Sequence, residues 1–140
     1  MSSLNLAQDF VADAVPSLPA ADCFSFLDIS IRELDGMDDA RLDALPFGVI
    51  GLDAEGETVI YNATESSYAG LARASVIGRP FFLATGVCMN NFLVAQRLED
   101  EPELDATIDY VLTFRMRPTP VKLRMLKSAA ARHRFILLRR

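Results

Sequence analysis

The sequence predicts an α+β domain built on a five-stranded antiparallel sheet. Three observations predict it: a β-hairpin pattern over residues 47–62, short helical segments over residues 63–98, and three further β-rich segments after residue 105. The 140 residues match the length of one ordinary domain. A chain of this length buries about two thirds of its unfolded surface in a single core.

Residues 1–46 are expected to form an N-terminal arm that ends in a helical cap. The arm is rich in proline, serine and alanine, which is typical of a loose segment with short helical turns. Over residues 37–45 the leucines lie at helical spacing after an aspartate cap, and Pro46 ends the helix. Residues 47–140 are then expected to form the globular domain.

A β-hairpin opens the globular domain. Residues 47–52 are a β-rich apolar run, and residues 58–62 resume the strand pattern. Between the two runs, Asp53 and Gly56 are the residue types expected in a tight turn. The two runs are therefore predicted to pair as neighbouring strands.

The pattern then changes from strand to helix spacing. Residues 63–69 and 73–77 are predicted short helices that end at glycines, and residues 91–98 have apolar positions three and four apart, as in a longer helix. Three β segments follow, at about residues 106–116, 121–127 and 133–138. A hairpin, short helices and three antiparallel strands are the element order of a PAS-type α+β fold, with short helices flanking the sheet.

Composition narrows the class of protein. With 51% hydrophobic and 24% charged residues, the chain is an ordinary globular sequence. It has no apolar run of about 18 residues and no secretory signal at its N-terminus, so we expect a cytoplasmic protein that does not span a membrane. A single histidine and two cysteines do not make a zinc site, and no metal is expected.

The net charge of -5 is unevenly distributed. The first 66 residues hold 13 acidic side chains and two arginines, whereas the rest of the chain holds 12 basic and six acidic side chains. The acidic segment is expected to lie on the basic strands, or the two form solvated faces of opposite sign. Nucleic-acid binding is not predicted, because no aromatic platform accompanies the basic residues.

Cys88, Tyr61 and Glu65 are the candidate functional residues. Cys88 follows an apolar run and lies 23 residues after Glu65, so it is either an inert core thiol or an attachment point. Tyr61 and Glu65 are four residues apart, and a helical turn between them directs both side chains to one acceptor. Without a shared acceptor, Glu65 is an exposed helix acid and Tyr61 a core strand residue. A cysteine enzyme using Cys88 and His133 is not favoured, because nothing else completes a triad.

From Met37 to the C-terminus, the chain resembles the photoactive yellow protein family. The motifs that carry the resemblance are spread along the chain: Met37-Asp38-Asp39, Leu45-Pro46-Phe47-Gly48, Leu52-Asp53, Tyr61-Asn62-Ala63, Glu65, Val76-Ile77-Gly78, Phe81-Phe82, Cys88 and Met116-Arg117-Pro118-Thr119. Several spaced motifs in the family's order make the resemblance more specific than any one dipeptide.

The resemblance implies a blue-light photoreceptor. Cys88 matches the cysteine that carries p-coumaric acid as a thioester, Tyr61 and Glu65 match the residues that bond its phenolate oxygen, and Met116 matches a methionine linked to recovery of the dark state. Photoisomerisation is followed by proton transfer from Glu65, and the buried carboxylate that remains loosens the N-terminal cap. Signalling then needs a separate protein or self-association as a homodimer, and no enzymatic activity is expected.

Two pocket positions favour an alternative function. Ala69 stands where the family often has a threonine that supports the tyrosine hydroxyl, and Leu71 stands where it has an arginine. Val87 replaces a proline that commonly precedes the cysteine. The alternative is an unpigmented PAS module, derived from the same family, that binds a partner or a small ligand.

Overall fold

Five antiparallel strands form the centre of the fold. The structure, a computed structural model, describes residues 24–113 and 117–140. The strands are β1 (Gly48–Leu52), β2 (Thr58–Tyr61), β3 (Leu104–Leu112), β4 (Thr119–Lys127) and β5 (Arg134–Arg139). They are ordered β2-β1-β5-β4-β3, and each neighbouring pair is antiparallel. The predicted five-stranded antiparallel sheet is confirmed.

The predicted hairpin is formed by β1 and β2. Asp53 organises the turn, since its Oδ1 accepts the backbone N–H groups of Glu55 and Glu57 at 2.9 Å each. Gly56 has a φ of 83°, which glycine adopts without steric cost. The register pairs Ile50 with Tyr61, so the hairpin fixes the tyrosine at the end of β2.

Short helices flank the sheet, as predicted. The α-helices are α1 (Ile31–Asp35), α2 (Asp39–Asp43), α3 (Ala63–Ala69) and α4 (Ala95–Asp100). Single turns of 3-10 helix lie at Arg73–Ser75 and Val87–Met89, and one π-helical turn lies at Phe81–Thr85. Helix α2 begins after Asp38, whose side chain accepts the N–H of Arg41 at 2.9 Å.

Four predicted elements have different boundaries. The helices predicted for residues 37–45 and 73–77 are shorter, at Asp39–Asp43 and Arg73–Ser75. The helix predicted for residues 91–98 begins only at Ala95, because Asn91 Oδ1 accepts the N–H groups of Leu93 and Val94 and holds this segment in a turn. The strand predicted for residues 106–116 runs from Leu104 to Leu112. Apolar spacing alone does not reveal a side chain that competes for backbone N–H groups.

The two faces of the sheet support two clusters of buried residues. Along β5, Phe135 and Leu137 face one cluster, while Ile136 and Leu138 face the other, as strand alternation requires. The first cluster lies under the cap helices, and its other members are Phe26, Ile29, Leu34, Leu42, Leu45, Phe47, Val49 and Leu126. The second cluster surrounds the short helices between β2 and β3 and contains the candidate site.

A buried arginine fastens the cap segment to the sheet. Arg124 of β4 donates from Nη1 to the carbonyl oxygens of Phe26 at 2.9 Å and Ile29 at 2.7 Å. Its Nε and Nη2 also bond both carboxylate oxygens of Asp105, at 2.8 and 2.9 Å. A buried arginine with this many partners is satisfied, so residues 26–29 have a fixed position on the sheet.

Acidic residues of the cap also contact the basic C-terminal half. The carboxylate of Asp35 accepts the backbone N–H of Arg132 and lies 2.9 Å from Nδ1 of His133. Residues 1–23 of the predicted arm lie outside the described residues, and the predicted domain boundary after residue 46 stays a prediction. Within the described ranges, no helix has the length and apolar character needed to cross a membrane.

Candidate functional site

One pocket brings together three of the four residues singled out from the sequence. It lies between the sheet and the short helical segments. Tyr61, Glu65 and Cys88 all line it. The other lining residues are Ile50, Ala69, Leu71, Phe81, Thr85, Gly86, Met89, Leu112, Leu138 and Arg140. The fourth predicted residue, Met116, lies outside the described residues.

Asn62 fixes the helix that carries Glu65. Its Oδ1 accepts the N–H of Glu65 at 3.0 Å, as the N-cap of α3, and the N–H of Val49 at 2.9 Å. Its Nδ2 donates to the carbonyl oxygens of Leu42 at 2.8 Å and Phe47 at 3.1 Å. The side chain is buried, so every polar atom it offers is used. This one residue ties α3 to both β1 and the cap.

Glu65 turns its carboxyl group inward from the first turn of α3. It is 3% exposed, an unusual position for a glutamate unless the carboxyl has a partner. The partner is Arg140, which donates from Nη1 to Oε1 at 2.7 Å and from Nη2 to Oε2 at 3.2 Å. This bidentate contact is the strongest ion-pair geometry available to a carboxylate.

Burial is the largest influence on the pKa of the Glu65 carboxyl and of the Tyr61 hydroxyl. It raises the pKa of Glu65 above its usual 4.5, while the guanidinium of Arg140 opposes the increase. Burial likewise raises the pKa of Tyr61, and the neighbouring charge of Glu65 raises it further. Tyr61 therefore keeps its phenolic proton. Its hydroxyl makes no hydrogen bond to any residue that the structure describes, so it is available as a donor.

Cys88 lies in the 3-10 turn Val87–Met89 as a free, half-buried thiol packed against the pocket cluster. The hydroxyl of Tyr110 on β3 donates to the carbonyl oxygen of Cys88 at 2.6 Å. Asn91 Nδ2 donates to the Tyr110 hydroxyl, also at 2.6 Å. The turn is thus bonded to the sheet, which fixes the backbone on both sides of the sulfur.

Gly86 lets this turn approach the aromatic wall of the pocket. A Cβ atom at Gly86 would lie 2.3 Å from the ring of Phe81, which is itself buried in contact with Phe82. The N–H of Gly86 donates to the carbonyl oxygen of Phe81 at 2.7 Å. Only a residue without a side chain permits this separation, so Gly86 places Cys88 beside the pocket.

The predicted departures from the family pattern lie in the pocket. Ala69 and Leu71 both line it, and both pack against its apolar cluster. Neither offers a hydrogen bond to Tyr61. Val87 is 60% exposed and lies outside the pocket lining.

Arg140, Asn62 and Tyr110 are the residues that sequence reasoning missed. Strand alternation indicated the position of Arg140, because this residue directly follows β5, lies two residues after Leu138 and so continues the pocket face of the strand. Asn62 carried a signal as a helix N-cap, but its contacts with Leu42 and Phe47 depend on the tertiary fold. No local pattern pairs Tyr110 with a carbonyl oxygen 22 residues away.

The structure does not bring Cys88 and His133 together. The ring of His133 contacts Asp35 and lies edge-on to Phe135, which belongs to the cluster under the cap on the opposite face of the sheet. The geometry therefore offers no base for the thiol from this histidine. In the part of the chain that the structure describes, no three His, Cys, Asp or Glu side chains are placed to hold a metal ion.

Comparisons with known proteins point to one family. No protein-family model matches the chain. The photoactive yellow protein of Rhodothalassium salexigens is 33% identical over 107 residues, which cover 74% of this chain and 86% of that protein. The photoactive yellow protein of Halochromatium salexigens is 34% identical over 112 residues, covering 78% and 90% respectively.

Solved structures agree with these relatives. The photoactive yellow protein domain of the sensor histidine kinase Ppr from Rhodospirillum centenum has a TM-score of 0.72 and 36% identity, covering 79% of this chain and 99% of that domain. The PAS domain of an HTR-like protein from Haloarcula marismortui has a TM-score of 0.57 at 18% identity, over 73% of this chain and 91% of that domain, and shows the fold alone. The predicted α+β PAS fold is confirmed, and the chain belongs to the photoactive yellow protein family.

Proposed function

We propose that this protein is a blue-light photoreceptor that binds p-coumaric acid as a thioester on Cys88. The observation that supports the proposal most directly is that Cys88, Tyr61 and Glu65 line the same pocket. The three residues come from a 3-10 turn, a strand and a helix, so their positions in the sequence alone do not require them to lie close together.

The chemistry of the pocket fits this group. The half-buried thiol of Cys88 is suited to attachment, and the apolar wall around Phe81 suits an aromatic ring. A phenolate oxygen in a buried site needs hydrogen-bond donors, because an unpaired buried charge is costly. The Tyr61 hydroxyl and the Glu65 carboxyl, when protonated, are such donors.

Attachment is a thiol exchange that uses an activated p-coumaroyl thioester. The thiolate sulfur of Cys88 attacks the carbonyl carbon and forms a new carbon–sulfur bond, while the bond to the leaving thiol breaks. The electron pair leaves with the departing sulfur, which takes up the proton released by Cys88. The Gly86 turn and the Tyr110 hydrogen bond hold the Cys88 backbone during this exchange.

The bound group supplies the photochemistry, because light isomerises its double bond. Glu65 is the proton-holding residue, and its carboxyl is buried enough to keep a proton when no cation faces it. When Glu65 gives this proton to the phenolate oxygen of the bound group, its carboxylate is left inside the core. A charge left there without a partner costs several kcal/mol, so the pocket, including the Arg140 side chain that pairs with Glu65, must rearrange around it.

Contacts from α3 offer a route by which this stress reaches the N-terminal cap. Asn62, at the start of α3, bonds the carbonyl oxygen of Leu42, and Thr64 Oγ1 donates to that of Leu45 at 2.6 Å. The N–H of Ala63 donates to Asp43 Oδ1 at 2.8 Å. A shift of α3 therefore pulls on the end of α2. We propose that rearrangement of the cap is the output of the photoreceptor.

The signal is proposed to pass to a separate signalling protein or through self-association, in the cytoplasm. The proposed role is sensory and not enzymatic. The alternative is an unpigmented PAS module that binds a partner or a small ligand. The contact between Glu65 and Arg140 favours it, because a residue of this chain satisfies the buried carboxyl.

Reconstitution tests the attachment site. The purified protein is incubated with p-coumaric anhydride, and the intact mass and the modified peptide are measured. We expect one p-coumaroyl group on Cys88, no pigment in Cys88→Ala, and full pigment in the matched control Cys23→Ala. Pigment retained by Cys88→Ala, or no adduct on the unmodified chain, would contradict the assignment and leave the unpigmented module as the better account.

A further inference from the structure

We propose that Arg140 is the charge-compensating residue of the ligand pocket. Its guanidinium pairs with the Glu65 carboxylate, and it pairs with the phenolate oxygen when a phenolic ligand is bound. The identity of the ligand rests on the function proposed above. The change of partner itself, from Glu65 to a phenolate oxygen, can be tested with any phenolic ligand that enters the pocket.

The position of Arg140 suits this role. It follows β5 directly, and its side chain is 15% exposed. The guanidinium carbon lies 4.9 Å from the ring centroid of Tyr68, so one face of the group is covered by an aromatic ring. The nitrogens bond Glu65 inside the pocket. Because Arg140 lies beyond Arg139, the last residue of β5, its side chain can change partners without breaking a hydrogen bond of the sheet.

Charge balance requires an exchange of this kind. Among the described residues that line the pocket, Arg140 is the only basic one and Glu65 the only acidic one. A phenolate brought beside the Glu65 carboxylate would place two anions against one cation. Like charges in a buried site are not both kept, so one anion must take up a proton.

Glu65 is the group expected to take up that proton. Burial already raises its pKa, and loss of the guanidinium to the phenolate removes the influence that lowers it. Arg140 thereby converts Glu65 from a paired carboxylate into a protonated donor. This exchange reconciles the ion pair between Arg140 and Glu65 with the donor role proposed for Glu65 toward a bound phenolate.

The titratable and charged groups around Arg140 come from several elements. Tyr61 ends β2, Glu65 and Tyr68 lie on α3, and Cys88 lies in the 3-10 turn. Arg117, before β4, lines a neighbouring cleft together with Arg140 and Tyr68. Any pH effect assigned to Arg140 must therefore be compared with a variant that changes charge elsewhere.

Arg139 is the matched control. It has the same charge and is the neighbour of Arg140, but its guanidinium carbon lies 5.1 Å from the ring centroid of Phe26 in the cluster under the cap. Arg139→Gln therefore changes the net charge equally without changing the pocket. Arg140→Met, apolar and of similar length, is a second variant in case Arg140→Gln fails to fold.

The main test is a spectral pH titration of the phenol in the reconstituted protein. We expect the acid dissociation constant of the phenol to fall at least tenfold in Arg140→Gln or Arg140→Met and less than twofold in Arg139→Gln. A constant in the Arg140 variants within twofold of the unmodified protein would overturn the proposal. If Arg140 only stabilised the fold, its substitution would lower the unfolding temperature and leave the acid dissociation constant of the phenol unchanged.

A non-covalent probe separates this proposal from the proposed function. The methyl ester of p-coumaric acid carries only the phenol as an ionisable group, and its bound titration is measured in Cys88→Ser with and without Arg140→Gln. If no covalent adduct forms but the bound ester titrates with the expected dependence on Arg140, the photoreceptor assignment fails and the role of Arg140 stands. If the ester does not bind, or titrates independently of Arg140, the role of Arg140 fails.

Infrared spectroscopy of the ligand-free protein gives a readout that needs no pigment. The carbonyl stretch of protonated Glu65, identified by its absence in Glu65→Gln, is followed against pH. We expect its midpoint to lie at least one pH unit higher in Arg140→Gln than in the unmodified chain, since the paired guanidinium favours the carboxylate. Equal midpoints would overturn the pairing on which the exchange depends.

Discussion

The carboxyl group of Glu65 lies directly against the backbone of Gly48. A methyl group at Gly48 would lie 2.2 Å from Oε1 of Glu65, closer than any side chain tolerates. Gly48 opens β1 and pairs with Leu138 of β5, two residues before Arg140. A glycine at this position therefore lets the acid enter the sheet face and reach its arginine partner.

The close approach makes Gly48→Ala a test of how the acid is positioned. The added methyl group must displace the carboxyl or the strand, and such overpacking costs about 1 to 3 kcal/mol. We expect urea denaturation to show a loss of stability in this range. Gly36→Ala is the matched control, because the nearest atom to its Cβ position is 3.5 Å away. Equal stability of the two variants would show that Glu65 does not occupy this position.

The burial of Glu65 predicts a pH-dependent contribution to stability. Because its pKa is raised above 4.5 in the folded protein, the folded state holds this proton more strongly than the unfolded state. The contribution is therefore present in full below pH 4.5 and is lost as the pH rises through the raised pKa.

We expect the unfolding free energy of the ligand-free protein, relative to Glu65→Gln, to fall with rising pH by up to about 1.4 kcal/mol per pH unit. Denaturation from pH 4 to pH 8 measures the difference. Glu55→Gln, in the exposed turn between β1 and β2, is the control variant. A flat difference for Glu65→Gln would contradict the raised pKa.

Asn62 is expected to be the most sensitive polar residue of the fold. Asn62→Ala leaves the N–H groups of Val49 and Glu65 and the carbonyl oxygens of Leu42 and Phe47 without their partner. Loss of these bonds in a buried site should reduce the unfolding free energy by about 3 to 5 kcal/mol. Chemical denaturation measures it. Asn90→Ala is the control, because Asn90 is exposed. It should change the unfolding free energy by about 0.5 kcal/mol, the usual size of a surface effect.

Tyr110 should control access to the Cys88 thiol. Tyr110→Phe removes the hydroxyl that donates to the Cys88 carbonyl oxygen, a bond worth about 1 kcal/mol, so the open form of the turn should increase about fivefold. The rate of thiol labelling by a disulfide reagent, measured in a Cys23→Ala background, should rise by a similar factor. Tyr68→Phe, with an exposed ring, should label at the parent rate. Equal rates in all three proteins would show that this bond does not hold the turn.

Sequence patterns predicted the strands better than the loops. The hairpin around Asp53 and Gly56 and the helix over residues 63–69 follow from local chemistry, so they were predicted closely. The helix predicted over residues 91–98 was shortened by Asn91, whose side chain takes backbone N–H groups that a helix start would use otherwise. Local competition of this kind is not visible in apolar spacing.

The site was predicted in part. Tyr61, Glu65 and Cys88 were found because their types and spacing match a known family, and the structure places all three on one pocket. Arg140 was missed because ion pairing across 75 residues depends on the fold, although strand alternation from Leu138 indicated its face. Met116 lies outside the described residues, so its proposed role in dark recovery stays a prediction.

The most direct test of the central claim is a light-minus-dark absorption spectrum of the reconstituted protein. The account predicts a visible band that bleaches under blue light and returns in the dark, and that is absent in Cys88→Ala. A protein that carries one p-coumaroyl group on Cys88, but whose band neither shifts from that of the free thioester nor bleaches, would contradict the photoreceptor assignment.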